Sequence, residues 1–155
     1  MTQEDKKILL KDLCARLPYK VKVEAIPYVD PQILCSIDPI RKEFRLDFGE
    51  YRNIFATNWV GEEYSIVKPY LRPMSSMTEE ELKELNSKHG SIAYFFIQEP
   101  PYYHGLQAQH SDIGSIELSE FSEIYDWLNA HHIDHRWLIE KGLALEAPEE
   151  MYKID

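Results

Sequence analysis

Apolar side chains first recur with a helical period. In residues 8–17 they occupy the i, i+3, i+4 and i+7 positions that give a helix one buried stripe, namely Leu10, Leu13, Cys14 and Leu17. Thr2 or Asp5 can cap the start of this helix, and Pro18 should end it because proline cannot continue a helix. The pattern therefore predicts an N-terminal helix.

After Pro18 the period changes to two, as in strands with one solvated face. The predicted strands cover residues 19–26, 32–37, 44–48, 53–59 and 63–67. Short antiparallel strands of this number can cover their apolar face by curling, so we expect a small SH3-like or Sm-like barrel or a curled sheet. Pro69 and Pro73 remove backbone donors. They predict an extended connector at residues 68–74, with Tyr70 and Leu71 packed inward.

The second half of the chain is predicted to be mainly helical with one further strand. Thr78 and Glu81 have capping-box spacing, which predicts a helix to about His89. Residues 92–97 are typical of a buried strand. Ser119 should cap a helix whose apolar side chains are Phe121, Ile124, Tyr125, Trp127 and Leu128. A short helix is expected at residues 136–141, between a cap at Asp134 and a stop at Gly142.

The fold class expected from these patterns is α+β in one domain over residues 1–155. Residues 1–77 form its helix-plus-β half and residues 78–155 its mainly helical half. The start of the chain lacks a signal-peptide core, and no apolar run approaches the roughly 20 residues that cross a bilayer. We therefore expect a cytoplasmic protein, with Cys14 and Cys35 as buried free thiols.

The net charge of the chain disfavours one class of partner. The formal net charge is −10, whereas binding to duplex nucleic acid requires clustered cations that displace counterions. Duplex nucleic acid is therefore an unlikely partner, and the sequence does not indicate an oligomeric state.

Three sequence strings resemble short uncharacterised proteins of gut bacteria and their phages. They are KDLCARLPY at residues 11–19, KPYLRPMSSMTEEE at residues 68–81, and DWLNAHH at residues 126–132 continuing to LIEKGLALEAP at residues 138–148. The resemblance implies a phage-borne or mobile-element cytoplasmic protein and brings no known activity. This chain departs from the pattern at two positions, with His135 in place of Tyr and Trp137 in place of Gly.

Histidines provide the candidate metal site. On one helix, His131 and His135 would be four residues apart and could share an ion such as zinc, with a further ligand from His104, His110 or Asp134. The structural alternative is a helix break at Ile133 and Asp134, which would turn His135 away from His131. Histidines near a helix C-terminus are also favoured there by the helix dipole alone.

Aromatic residues provide the candidate recognition surface. Tyr102, Tyr103 and His104 follow two prolines, and Trp137 is a second exposed-aromatic candidate. Tyrosines on a stiff loop give large contact area at small entropic cost. The structural alternative is that both tyrosine rings cover the hydrophobic core.

Motifs for nucleophilic catalysis and common nucleotide sites are absent from the sequence, since it contains no GxSxG elbow, P-loop or GxGxxG. We therefore expect a non-enzymatic, cofactor-free module that binds a host or phage protein. The alternative is a small-molecule-binding or metal-binding protein, possibly hydrolytic, that uses the histidines of the second half.

Overall fold

The computed structural model describes residues 1–25, 30–38, 40, 43–47, 55–58, 67–89 and 118–153. The first helix, α1 (Gln3–Arg16), begins with a capping box in which Thr2 Oγ1 accepts from Asp5 N and Asp5 Oδ2 accepts from Thr2 N. Pro18 lies in a 3₁₀ turn, Leu17–Tyr19, directly after the helix. The predicted helix and its termination are confirmed.

The buried face of α1 differs from the predicted stripe. Its buried residues are Leu9, Asp12, Leu13 and Arg16, whereas Cys14 is exposed. Hydrophobic periodicity misplaced the face because Asp12 and Arg16 are buried as a bonded pair, which a count of apolar residues cannot detect. Cys35 is also exposed, so the prediction of two buried thiols was wrong.

Six strands in the described ranges form one mixed sheet in the order β4-β3-β2-β1-β5-β6. The strands are β1 (Lys22–Ala25), β2 (Gln32–Asp38), β3 (Glu43–Asp47), β4 (Phe55–Asn58), β5 (Val67–Leu71) and β6 (Leu145–Glu146). Neighbours from β4 to β5 are antiparallel, and β6 joins β5 in parallel. Among the described strands the sheet is open, with β4 and β6 at its edges. Closure into a barrel therefore stays a prediction.

Residues 67–71 form a strand rather than the predicted connector. β5 pairs with β1 through Val23 and Pro69, and its buried residues are Val67, Pro69 and Leu71. Tyr70 faces the other side and is half-buried, which corrects its predicted inward packing. Pro69 is tolerated because Leu71 O points to the β6 side, where it accepts from Ala147 N. The backbone N–H and C=O groups of successive residues in a strand point to opposite sides, so positions 69 and 71 both face β6. The donor that Pro69 lacks is therefore missing on the β6 side, and the pairing of β5 with β1 loses no hydrogen bond.

Two further helices pack against each other, α2 (Glu79–His89) and α3 (Leu118–Ala130). Thr78 and Glu81 form the predicted capping box. Ser119 lies inside α3 rather than at its cap. Ile124, Trp127 and Leu128 are buried as predicted, whereas Tyr125 is 43% exposed.

Two clusters of buried side chains make up the described core. The sheet cluster joins α1, the strands β1, β2, β3 and β5, and Leu138, Leu143 and Ala144. The helix cluster contains Met74, Met77, Leu85, Ile124, Trp127, Leu128 and Ile133. The helices in the described part of the chain are too short or too polar to cross a bilayer. The strand predicted at residues 92–97 lies outside the described residues.

Candidate functional site

The junction segment, residues 131–144, follows α3 and connects the two clusters. Its backbone bonds to the residue after β5: Arg72 N donates to His132 O at 2.8 Å, and Asp134 N donates to Arg72 O at 2.7 Å. Ile133 is buried in the helix cluster and Leu138 in the sheet cluster. The junction segment is therefore fixed to both parts of the core.

Asp134 organises the turns that follow it. Its carboxylate accepts from Leu138 N at 3.0 Å and Ile139 N at 2.8 Å. Burial raises the pKa of Asp134, although these two amides oppose the rise. The predicted short helix is wrong, because residues 136–141 form turns, and Asp134 bonds the amides of those turns instead of capping a helix.

An ion cluster lies beneath the junction segment. Arg16 donates to Asp12 through Nε at 2.8 Å and Nη2 at 3.1 Å, and both side chains are fully buried. Arg136 donates to the same carboxylate from the junction segment. Arg16 Nη2 also donates to Ile133 O at 2.8 Å. The cluster therefore ties α1 to the junction segment through charged hydrogen bonds.

The junction segment holds three histidines in different surroundings. α3 ends at Ala130, so His131 and His135 do not share a helix. His131 stacks on Trp127 with ring centroids 3.8 Å apart, and its Nδ1 lies 2.9 Å from Trp127 O. His135 packs against Tyr125 instead, with centroids 5.3 Å apart. The break after Ala130 thus separates the two imidazoles.

His132 and His135 are buried and favour the neutral form. Burial lowers the pKa of His132 to about 3, and the positive charges of Arg16, Arg72 and Lys22 lower it further. Burial also lowers the pKa of His135 to about 4; Arg136 and Arg16 add to this, whereas Asp12 and the Ile133 carbonyl oppose it. His132 Nδ1, His135 Nε2 and Asn129 Oδ1 are buried with no hydrogen-bond partner among the described residues.

Three residues of the junction segment have left-handed backbone. They are His132 with φ of 56°, Trp137 with φ of 58° and Gly142 with φ of 67°. Glycine adopts this conformation freely, whereas a bulky side chain there is strained. The indole of Trp137 is half-buried. The fold therefore holds an aromatic side chain at a position that favours glycine.

No protein-family model matches the sequence, and no curated protein or solved structure matches it either. The function must therefore be argued from the geometry of the described residues.

The predicted site residues are only partly within the described ranges. Tyr102, Tyr103, His104 and His110 lie outside them. Within those ranges, no group of three or more His, Cys, Asp or Glu side chains is arranged to hold a metal ion. Zinc binding through His131 and His135 therefore stays a prediction.

The sequence patterns did not predict the ion cluster or the hydrogen bond between Tyr152 and Lys22. Asp12 and Arg16 have the i, i+4 spacing of a helical ion pair, but such pairs are usually exposed, so the spacing gave no reason to place them in the interior. Tyr152 lies 130 residues from its bonded partner Lys22. No local pattern could have connected these two residues.

Proposed function

We propose that this protein is a non-enzymatic module that binds another protein and that Trp137 lies at the centre of its binding surface. The observation that carries the proposal is the left-handed backbone of Trp137, with φ of 58°, combined with a half-buried indole. Tryptophan is enriched among the residues that dominate binding energy at protein interfaces.

Backbone strain supports a functional role for this side chain. Left-handed backbone costs a residue with a side chain roughly 1–2 kcal/mol, and such strain concentrates at functional sites. A glycine at position 137 would remove the strain. A tryptophan at this strained position is explained if its indole contributes to binding in a way that a glycine could not.

The surroundings of Trp137 are fixed before any partner arrives. Leu138 is fully buried next to it, and the Asp134 carboxylate bonds the amides of Leu138 and Ile139. A preorganised aromatic side chain loses little entropy on binding, which favours affinity. Arg136 on the other side is held by Asp12.

The partner we propose is a protein of a bacterial host or its phage, met in the cytoplasm. This setting rests on the resemblance of the three strings described above. Tyr102, Tyr103 and His104 are proposed as a second part of the same recognition function.

The proposal is tested with Trp137→Gly and Trp137→Ala as baits in affinity capture from host lysate, read by quantitative mass spectrometry. We expect the wild-type chain to enrich a protein that both variants lose. Trp137→Gly should unfold within about 1 kcal/mol of wild type because glycine relieves the left-handed strain. Trp137→Ala should be less stable than Trp137→Gly.

Lys20→Gly is the matched control. Lys20 is also left-handed, with φ of 55°, but it is exposed and carries no aromatic ring. This variant should retain the captured protein. If a stable Trp137→Gly bait retained every protein that the wild-type chain enriches, the proposal would be wrong.

Metal or small-molecule binding is the second candidate function. The ring nitrogens His132 Nδ1 and His135 Nε2, which have no hydrogen-bond partner within the described part of the chain, favour it, since neutral imidazole nitrogens bind zinc. The proposed ligands remain His131, His135, His104 and His110. Elemental analysis of untagged protein tests this candidate, and the absence of stoichiometric zinc would contradict it.

A curled, SH3-like or Sm-like sheet is proposed as the body that carries the surface. The strand order supports it, because β1 to β4 form a meander and β5 returns beside β1. With this strand order, curling of the sheet can bring its edge strands toward each other.

A further inference from the structure

Tyr152 lies where strands β1 and β5 separate. Their register pairs Val23 with Pro69 and Glu24 with Lys68, so the next pair would be Lys22 with Tyr70. At that position, the Tyr152 hydroxyl accepts from Lys22 N at 3.0 Å and donates to Tyr70 O at 2.9 Å. One phenol oxygen therefore bridges a donor and an acceptor from two strands.

The ring of Tyr152 is recognised as well as its hydroxyl. His132 stacks on it with centroids 3.8 Å apart and an interplanar angle of 20°. The Lys22 ammonium lies 5.9 Å from the ring centroid, within the range of a cation–π contact. His132 presents its ring from left-handed backbone, with φ of 56°. A second strained aromatic residue is therefore used in a specific contact.

The hydroxyl is held in its neutral form. Burial raises the pKa of Tyr152, so the group keeps the proton that it donates to Tyr70 O. A phenyl ring could stack in the same place but could not satisfy Lys22 N or Tyr70 O. The geometry therefore distinguishes a phenol from a benzene ring.

We propose that Lys22, Tyr70 and His132 form a recognition site for a tyrosine side chain. Tyr152 fills the site within the chain, and a tyrosine on an extended segment of a partner protein can replace it. That the partner is a protein rests on the proposed function, but this site does not include Trp137.

The contacts of the strap, residues 145–153, support replacement. β6 adds to β5 in parallel as an extended peptide would, and Ala147 N donates to Leu71 O at 2.8 Å. Residues 148–150 are exposed. Beyond Ala147, the described bonds to the body are those of Tyr152 and one from Lys22 Nζ to Met151 O. A segment held by so few hydrogen bonds opens more readily than the core.

The first test uses the full chain with Tyr152→Ala, titrated with p-cresol and with toluene as the matched control. We expect p-cresol to raise the melting temperature and to bind about tenfold more tightly than toluene, because two hydrogen bonds distinguish them. Wild-type protein should bind neither, since its site is filled. Equal binding of both probes, or binding of neither, would overturn the proposal.

The second test asks whether a peptide can occupy the site. A synthetic peptide of residues 144–153, ALEAPEEMYK, should displace p-cresol from the Tyr152→Ala chain, and the same peptide with phenylalanine in place of tyrosine should not. Failure of the tyrosine peptide would overturn replacement by a partner segment. Adding Trp137→Gly should leave p-cresol binding unchanged, so this result is independent of the Trp137 surface.

If Tyr152→Ala does not fold, a variant that keeps the aromatic ring of residue 152 still tests the role of the hydroxyl. Tyr152→Phe removes the acceptor of Lys22 N, so hydrogen exchange of that amide should become at least tenfold faster (about one lost hydrogen bond). Amides within β2 should not change. Unaltered protection of the Lys22 amide would contradict the role of the hydroxyl.

Discussion

Asp12 binds two guanidinium groups through a fully buried carboxylate. Its carboxylate accepts from Arg16 and Arg136, and Arg16 is fully buried. Removal of one partner from a buried ion pair leaves an uncompensated charge. The neutral amide of asparagine would therefore leave both arginines without their counter-ion.

We expect Asp12→Asn to lower the free energy of unfolding by about 3 kcal/mol or more, measured by urea denaturation. Glu79→Gln is the matched control, because its ion pair with Lys83 is exposed and should contribute less than about 0.5 kcal/mol. The double variant Asp12→Leu, Arg16→Met should lose less than Asp12→Asn, since it removes both fully buried charges and leaves only Arg136, which is partly exposed. Equal losses for Asp12→Asn and Glu79→Gln would contradict this account.

Stability should fall in mild acid because His132 and His135 are buried as neutral rings. Their folded pKa values of about 3 and about 4 lie below the ordinary value of 6.5, so the unfolded chain binds more protons between these limits. The contribution of the two neutral rings to the free energy of unfolding is fully present above about pH 7. It falls as the pH drops through 6.5, by about 1.4 kcal/mol per pH unit for each histidine.

The measurement is thermal unfolding between pH 7.5 and 5, a window above the ordinary pKa values of Asp and Glu. The variant His132→Gln, His135→Gln should show a flatter profile than wild type. His131→Gln is the matched histidine control, since His131 is only half-buried and stacks face to face on Trp127, with ring centroids 3.8 Å apart. A double variant with the wild-type slope would show that other groups control the acid response.

The predicted face of α1 shows what residue patterns can and cannot establish. The helix, its capping box and Leu13 in the core follow from local spacing. The burial of Asp12 and Arg16 depends on Arg136 and the Ile133 carbonyl, which are more than 110 residues away. Only tertiary structure identifies these two charged residues as part of the interior.

At the level of elements, Arg72 links the end of β5 to the start of α2. It donates to both carboxylate oxygens of Glu81, at 2.7 and 2.8 Å. The same carboxylate accepts from Thr78 N at 2.9 Å. These bonds lower the pKa of Glu81, the one from Arg72 most strongly. The capping box of α2 is therefore also a tertiary contact.

Because the capping box of α2 is also a tertiary contact, removal of its acidic residue, Glu81, should cost more stability than removal of Asp5 from the capping box of α1. Glu81→Gln should lower the free energy of unfolding by about 1–2 kcal/mol, because a charged bidentate bond and a cap are weakened together. Asp5→Asn, at the exposed start of α1, should lose about 0.5 kcal/mol or less, since an asparagine oxygen can still accept from Thr2 N and the Thr2 cap is kept. Chemical denaturation of both variants measures the difference, and equal losses would mean that Arg72 adds nothing.

β5 shows why element prediction failed at one point. Two prolines argued against a strand at residues 68–74, yet Pro69 lies within β5. The rule that proline avoids central strands assumes ladder partners on both sides. Here the described β6 pairs only with Tyr70 and Leu71. The sequence could not reveal this because residues 145–146 show no strand pattern of their own.

At the level of the whole molecule, the junction segment joins the two core clusters. Ile133 belongs to the helix cluster, and Leu138, Leu143 and Ala144 belong to the sheet cluster. The α+β class and most described elements were predictable from periodicity. The junction was not, because its shape depends on three left-handed residues and on bonds to Arg72 and Asp12.

Such a junction should make the two clusters unfold together. Leu138 is fully buried, so Leu138→Ala should lower the free energy of unfolding by about 2–5 kcal/mol. If the junction segment couples the clusters, amides of α3 should lose as much hydrogen-exchange protection as amides of β1 and β2, although Leu138 itself packs in the sheet cluster. Ile40→Ser is the control, since Ile40 is 92% exposed and should change neither set. Loss of protection confined to the sheet would show that the clusters are separate cooperative units, because sub-global opening exposes only the amides of the unit that opens.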